Sequence, residues 1–424
     1  METLRYGGRG NQVLLLQLAL KRAGFYHETP DGVFGTKTLN MLKRFQRASG
    51  LSPDGIAGNR TWAAAEPYIY GYVGAKLRQG DTFYRLAKRY GTDADAIAAA
   101  NPSLDPADLR LGANAVVPLG FPVTATDVPW SSLLAKITAE GLMKRYPFIS
   151  TELMGYSVLG RELFALKMGK GKREVFINAA HHANEWITAP LVFDFLETCA
   201  EAYASGGEVE GRSAASLFSE TKLFITPMVD PDGVDLVNGA APREGYERAR
   251  AIAEDYPDIP FPSGWKANIE GTDLNLNYPA EWDTARDNKY RMGYVKPAPR
   301  DFVGGYPLSA PESAAVYGFT KRHDFALTVS YHTQGGEIYW QFAGIEPEGG
   351  EALARKMAEV SGYKAAEAPY ESGFAGYKDW FILEYRRPGF TVEAGRGSNP
   401  LPLSQYGSIR RENFPIMAAA LAGE

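Results

Sequence analysis

One stretch limits the fold more than any other: Phe176-Ile-Asn-Ala-Ala-His181-His182-Ala-Asn-Glu185-Trp186-Ile187. Glu174 to Ala180 is an apolar, β-branched run that predicts a buried strand. The chain then turns through two histidines and a glutamate into a helix-like stretch beginning near Ile187. A buried strand feeding a helix implies an α/β layout, in which functional groups gather at the carboxyl ends of strands. The chain has five histidines, His27, His181, His182, His323 and His332, so an adjacent pair with a carboxylate three residues on stands out. At that spacing His182 and Glu185 can aim an imidazole nitrogen and a carboxylate oxygen at one point, two-thirds of a His-His-Glu zinc site. The same residues also suit a strand-end cap, and the stretch alone leaves both readings open.

The 424 residues give room for roughly two to four domains. With 45% hydrophobic and 22% charged residues, the chain has material for real cores. A net charge of −5 leaves no basic footprint, so neither nucleic acid nor a membrane surface is expected as a partner. Cys199 is the single cysteine, which excludes an intrachain disulfide and a thiolate metal cluster. No apolar run reaches the length needed to span a bilayer. The opening Met-Glu-Thr-Leu-Arg shows no signal-peptide pattern, so the expectation is a cytoplasmic protein as encoded.

Residues 1–68 hold an internal repeat: Asp31-Gly-Val-Phe-Gly35-Thr-Lys-Thr38 returns 23 residues later as Asp54-Gly-Ile-Ala-Gly58-Asn-Arg-Thr61. Each copy places Asp-Gly at a turn and Gly and Thr at a helix start. Val13, Leu16, Gln17 and Leu20 fall at helical spacing, as do Leu39, Leu42, Phe45 and Gln46, predicting a small three-helix domain. The segment resembles the peptidoglycan-binding type 1 domain in Leu16-Gln17, both Asp-Gly loops, Phe45-Gln46 and Gly50-Leu51. Residues 70–120 form a second unit. Gly80-Asp81-Thr82 precedes an amphipathic helix capped by Asp81 or Thr82, and a second helix ends at Asn101-Pro102. A strand from Leu111 to Pro118 closes the unit. This βααβ pattern resembles a LysM domain, which implies binding to N-acetylglucosamine-containing glycans such as peptidoglycan.

Residues 121–129, rich in Pro and Thr, read as a linker. From 130 to 424 strands and helices alternate. Strands are predicted at Leu163–Lys167, Glu174–Ala180, Thr221–Met228, Phe325–His332, Glu337–Phe342 and Gly389–Glu393. Helices are predicted at Ser131–Tyr146, Ile187–Tyr203, Ala310–Arg322, Glu351–Ser361, Tyr377–Tyr385 and Ser404–Leu421. The expected fold class is α/β, a mixed twisted sheet with helices on both faces. Ser330-Tyr-His332 and Thr391-Val-Glu393 each end an apolar strand with a polar group. An ionised glutamate there is costly unless it is paired or used.

The set formed by His182-x-x-Glu185, Asp230-Pro-Asp-Gly233, Asp273-x-Asn275-x-Asn277, Ser-Tyr-His332 and Thr-Val-Glu393 resembles the M14 zinc carboxypeptidase family across 130–424. The resemblance implies one zinc ion per chain on His182, Glu185 and His332, the ligand set known from carboxypeptidase A, with Glu393 as catalytic glutamate. It places Lys266 where the family has its oxyanion-stabilising arginine and Tyr370 near the family's mobile tyrosine. Asn275 and Lys378 are implied to bind substrate, and His181 is a strand-end residue. The loop from Val234 to Ser263 is expected to be long and irregular. One departure matters most: Leu276 stands where the exopeptidases carry the arginine that clamps a terminal carboxylate. A leucine cannot make that bidentate bond.

The three-part architecture resembles bacterial γ-D-glutamyl-L-diamino acid endopeptidases. It implies hydrolysis of the γ-D-glutamyl-L-diamino acid (meso-diaminopimelate) amide in peptidoglycan stem peptides, with the murein glycan and those stems as partners. Action would fall on cell-wall peptides, in spores or after lysis. Two alternatives use the same residues. A general zinc carboxypeptidase is disfavoured by Leu276 and by the wall-binding modules, and a catalytically inactive wall-binding scaffold by the intact His182, Glu185, His332 and Glu393.

Overall fold

The computed structural model describes residues 1–423. They form two compact units, residues 1–128 with 136–149, and residues 129–135 with 150 onward.

The first unit opens with helices Asn11–Arg22, Thr36–Ala48 and Asn59–Tyr70. Its sequence repeat is a repeat of one hydrogen-bonded loop, and each loop is built around a buried glutamine. Gln17 Nε2 donates to Asp31 Oδ1 at 2.7 Å, Thr38 Oγ1 at 2.9 Å and Val33 O at 3.1 Å. Its Oε1 accepts from the N–H groups of Asp31 and Gly32. Gln46 does the same in the second copy, donating to Asp54, Ile56 O and Thr61 and accepting from Gly55 N at 2.9 Å. Gly55 has φ +76°, and a Cβ there would lie 2.4 Å from Leu39 Cδ1, so the turn requires glycine twice over.

Strands β1 (Tyr72–Lys76) and β2 (Asn114–Pro118) pair antiparallel around helices Phe83–Tyr90 and Ala94–Ala100. Thr82 is the cap of the first helix, accepting from Arg85 N at 3.1 Å, while Asp81 is taken by Arg78 N and Arg89. The closing strand is shorter than its predicted span, and Leu111 is exposed. Residues 121–129 lack regular structure, yet Val123 and Val128 are buried.

The second unit carries β3 (Ser150–Tyr156), β4 (Glu162–Met168), β5 (Arg173–Ala179), a two-residue hairpin β6–β7 (Glu208–Val209, Arg212–Ser213) and β8 (Thr221–Thr226). Then come β9 (Phe325–His332), β10 (Glu337–Tyr339), β11 (Lys364–Ala366) and β12 (Gly389–Glu393). An eight-stranded mixed sheet has the order β11-β10-β12-β9-β5-β8-β4-β3. Its centre, β12-β9-β5-β8, is parallel throughout, and the flanking strands introduce antiparallel pairs. Buried strands of this kind read as continuous apolar runs, which is why the sequence predicts them. Phe176, Phe224, Phe319, Phe325, Tyr377 and Trp380 pack into one core on this sheet.

Several predicted spans need correction. The strand expected to reach Met228 stops at Thr226, and the one expected to reach Phe342 stops at Tyr339, where the chain turns back through an isolated bridge between Phe342 and Ile345. The region from Val234 to Ser263 is not an irregular loop: it includes most of helix Pro231–Val237 and all of helix Arg243–Ala253. The first of these carries a start signal in Asp230-Pro231, since Asp230 Oδ1 accepts Gly233 N at 2.9 Å and proline suits the first helical position.

Replacing Gln46 with Leu should leave the buried Gly55 N–H and Thr61 hydroxyl poorly matched. Each such group costs ~1–3 kcal/mol. Amide-exchange protection should fall across residues 36–65 and stay unchanged in β9; full protection in 36–65 would show that the loop holds without its glutamine.

Candidate functional site

The site lies beyond the carboxyl ends of the central parallel strands. Cα pairing sets Glu393 of β12 beside His332 of β9, and Ala179 of β5 beside Tyr331. After β5, Ala180 adopts φ +50°, an uncommon conformation for a residue with a side chain. Neighbours hold this turn: Ala180 N donates to Thr188 Oγ1, Thr188 Oγ1 to Glu185 O, and Asp230 N to Ala180 O. A short 3₁₀ turn, Ala183–Glu185, follows, and helix Thr188–Ser205 leads away.

Three donor atoms converge there. His182 Nδ1 is 3.1 Å from Glu185 Oε1, His332 Nδ1 is 2.9 Å from Glu185 Oε2, and the two Nδ1 atoms are 3.0 Å apart. Zinc with bonds of ~2.0–2.2 Å in tetrahedral geometry spaces its ligand atoms about 3.3 Å apart. With His182 Nε2 engaged by Asp273, its Nδ1 lone pair turns toward His332 Nδ1, 3.0 Å away, and toward the Glu185 carboxylate, so the three groups converge as donors on a point that one cation can satisfy. The donor set therefore fits zinc. His182 Nε2 lies 3.0 Å from Asp273 Oδ1, the outer hydrogen bond that orients a metal-ligating imidazole.

The electrostatics follow from burial. Burial disfavours a charged imidazole at both histidines. At His182 the Glu185 and Asp273 carboxylates outweigh it and raise the pKa, whereas at His332 burial prevails and lowers it. Burial also works against the Glu185 and Asp273 carboxylates, but the adjacent imidazoles hold both well below their usual range. Thr333 N at 3.3 Å, Asn399 Nδ2 at 3.4 Å and Lys266 Nζ at 4.0 Å complete the surroundings of Glu185. Glu393 is pushed up to about 8, first by burial and then by the Glu185 carboxylate.

A cavity of about 620 Å³ opens over this cluster, lined by His182, Glu185, His332, Lys266, Asn275, Lys378 and Glu393 among others. Seven of the eight residues singled out from the sequence thus share one cavity. Tyr370 does not: it is 63% exposed and packs edge-on against Phe374. Leu276 sits in an apolar cluster with Trp282, Ala285, Val303 and Ala375, so no cation occupies that position. Lys378 lines the cavity, with Nζ 2.6 Å from Asp379 Oδ1 and 2.7 Å from Gln341 O. His181 stays behind the cluster, with Nε2 3.1 Å from Tyr278 Oη. Sequence reasoning gave Asp273 no separate role and missed Arg300, which also lines the cavity. Asp273 had a signal, as the first residue of the Asp-x-Asn-x-Asn stretch, but Arg300 in its proline-rich loop had none.

Asp230-Pro-Asp-Gly233 is buried, and it packs behind the His182–Glu185 turn. A Cβ at Gly233 would sit 2.7 Å from Ala183 Cβ and 2.1 Å from Asp230 Oδ2, so glycine lets this helix press against the 3₁₀ turn. Arg161 lies 3.3 Å from Asp232 and 2.8 Å from Asp235. Glu312 accepts from Val158 N and Asn268 Nδ2, both at 3.0 Å.

The sheet and the His-Glu-His cluster at its carboxyl edge define a metallopeptidase of carboxypeptidase type. The chain belongs to the zinc carboxypeptidase family M14, whose model matches residues 137–415. A peptidoglycan binding domain matches residues 9–65 and a LysM domain residues 76–114. The chain is 39% identical over 280 residues to gamma-D-glutamyl-L-diamino acid endopeptidase 1 of Lysinibacillus sphaericus, covering 66% of this chain and 69% of that protein. It is 35% identical over 85 residues to the spore cortex-lytic enzyme of Oceanobacillus iheyensis, covering 19% of this chain and 31% of that one. Over 70% of its length the chain is similar in fold to bovine thrombin-activatable fibrinolysis inhibitor in complex with tick carboxypeptidase inhibitor, with TM-score 0.55 and 20% identity, covering 97% of that chain.

Glu312 generates a pH prediction. Burial pushes its carboxyl up to about 7 from an ordinary 4.5. Between those values the folded state keeps a proton that the unfolded chain releases, so this contribution to stability falls as pH rises and levels off above 7. Glu312→Gln should remove that fall, gaining stability relative to the parent between pH 5 and pH 8 in urea titrations. Parallel curves for the two proteins would assign the fall to another group.

Proposed function

We propose that this chain hydrolyses the γ-D-glutamyl-L-diamino acid amide of peptidoglycan stem peptides, with meso-diaminopimelate as the diamino acid. The observation that carries the reading is the leucine in the clamp position. Leu276 lies in an apolar cluster at the wall of the metal cavity, so a free terminal carboxylate has no guanidinium there to bind it. A substrate that continues past the cut is then accepted. The 39% identical relative named for this bond supports the choice of substrate. The two wall-binding modules support delivery to peptidoglycan, where tethering raises the local concentration of substrate.

In this reading His182, Glu185 and His332 hold zinc, and Asp273 keeps the His182 ring turned toward it. Bound zinc supplies Lewis acidity, polarising the scissile carbonyl and lowering the pKa of a water to roughly 7. With a cation offsetting the Glu185 carboxylate that helps to raise its pKa, Glu393 would be ionised, accept the proton of the attacking water and pass it to the leaving amine. Lys266, held 4.0 Å from Glu185 Oε1, meets the negative charge that develops on the carbonyl oxygen. Tyr370 would have to swing in from its exposed position to touch substrate. Asn275 contributes from the wall, its Oδ1 already accepting Tyr377 N at 3.0 Å. Lys378 and Asp379 present an ammonium and a carboxylate side by side. That pair complements the zwitterionic end of meso-diaminopimelate better than the lone amine of L-lysine.

Glu393→Gln should abolish hydrolysis while about one equivalent of zinc stays bound, whereas His332→Ala should lose metal and activity together. Retained activity in the first, or full zinc in the second, would reassign those roles.

Digesting defined tri- and tetrapeptide stems and locating the cut by mass spectrometry tests the substrate. The expected product pair is a γ-D-glutamyl acid and a free diaminopimelyl amine. Stepwise loss of C-terminal residues from ordinary α-linked peptides would instead make the chain a general carboxypeptidase. On the same stems Lys378→Met should lower kcat/KM for diaminopimelate about ten- to a hundredfold and spare lysine stems. Equal losses on both would make Lys378 structural.

A further inference from the structure

Four cations line the cavity: Lys266, Lys289, Arg300 and Lys378. Lys289 and Lys378 are each matched by a carboxylate 2.6 Å away, from Asp301 and Asp379. Lys266 faces Glu185. Arg300 differs. Its Nε is bound to Asp301 Oδ2 at 2.6 Å, and its two Nη nitrogens have no acceptor among the described residues. The guanidinium is nevertheless held in place. Asp301 is anchored by Lys289, and its own N–H donates to Asp273 Oδ2 at 3.1 Å, the carboxylate that also holds His182. The N–H groups of Lys266 and Ala267 both donate to Pro299 O, at 2.7 and 2.9 Å, which sets Lys266 and Arg300 on the same rim. Asn275, Leu276 and Lys378 near the start of helix Tyr377–Tyr385 line the same cavity, and the bond from Tyr377 N to Asn275 Oδ1 ties that helix start to Asn275.

The chemistry of a γ-linked glutamyl group matches this arrangement. In an α-linked peptide the acyl residue's own carboxyl is the scissile carbonyl, and no backbone carboxylate remains on that residue. In a γ-glutamyl amide the side-chain carboxyl is scissile and the α-carboxylate stays free, four bonds away, a reach of roughly 5 Å. A planar fork with two open donors binds a carboxylate bidentately, and the bond to Asp301 fixes the plane of that fork. We propose that Arg300 binds the free α-carboxylate of the γ-linked D-glutamate, on the acyl side of the cut, and so selects the γ-linkage itself. This rests on the substrate reading above.

The test uses the full-length zinc-loaded enzyme and three stems: L-Ala-γ-D-Glu-meso-diaminopimelate, its analogue with the D-glutamate α-carboxylate amidated, and its analogue amidated on diaminopimelate. The parent should prefer the free glutamate acid over its amide by about ten- to a hundredfold in kcat/KM. Arg300→Gln should collapse that ratio to within about twofold, chiefly through KM, with zinc content unchanged. Arg300→Lys should restore part of the ratio as a point charge. An unchanged acid-to-amide ratio in Arg300→Gln would overturn the proposal, as would equal losses on all three stems. So would a loss abolished only by amidating diaminopimelate, which would place the contact on the leaving side. A parent enzyme that cuts none of the γ-linked stems would overturn the substrate reading instead, a result distinct from any change in the ratio.

Discussion

The second unit is arranged around one buried carboxylate. Glu185 is 1% exposed, and an ionised carboxylate in that position is tolerable only if charge and hydrogen bonds surround it. They do: imidazoles from His182 and His332, the Thr333 N–H, the Asn399 amide and the Lys266 ammonium all face it. None of these groups can be supplied by the local turn alone except His182. The others come from the end of β9, from the loop after β12 and from the Lys266 loop, so the sheet register and the loop packing must be right before the carboxylate is stable.

The same demand spreads outward. Asp273 serves His182 on one oxygen and the Asp301 N–H on the other. Asp301 in turn binds Lys289 and Arg300, so the His-Glu-His cluster and the cavity rim share one chain of charges. Behind the cluster, helix Pro231–Val237 approaches closely because Gly233 has no side chain to collide with Ala183. A metallopeptidase needs its ligands held to within a few tenths of an ångström, and here both polar and steric constraints act on the same short turn.

The N-terminal modules follow a different economy. The first is small, and it fixes its two loops with buried glutamines that answer backbone and side-chain groups together. The Asp-Gly and Thr positions repeated in its sequence are partners of those glutamines. Their repetition therefore reports how the loops are built.

The sequence by itself determined the elements whose signal is local. β9, β12 and helix Tyr377–Tyr385 have the bounds expected, because apolar runs and helical periodicity are written in consecutive residues. It also brought forward His182, Glu185, His332 and Glu393, since each is a polar group at the end of an apolar strand or just beyond one. It was weaker where an element buries little. Edge strand β3 has only Met154 buried, so no alternation marked it, and helices Arg243–Ala253 and Trp282–Arg291 are too polar to stand out as core elements. Only the tertiary structure decided what each charge is matched by: that Lys378 is paired with Asp379, that Tyr370 lies outside the cavity, and that Arg300 keeps open donors on its rim. Even neighbours such as Lys378 and Asp379 can point together or apart, and which way each side chain turns is set only once the sheet has its register and the loops have packed upon it.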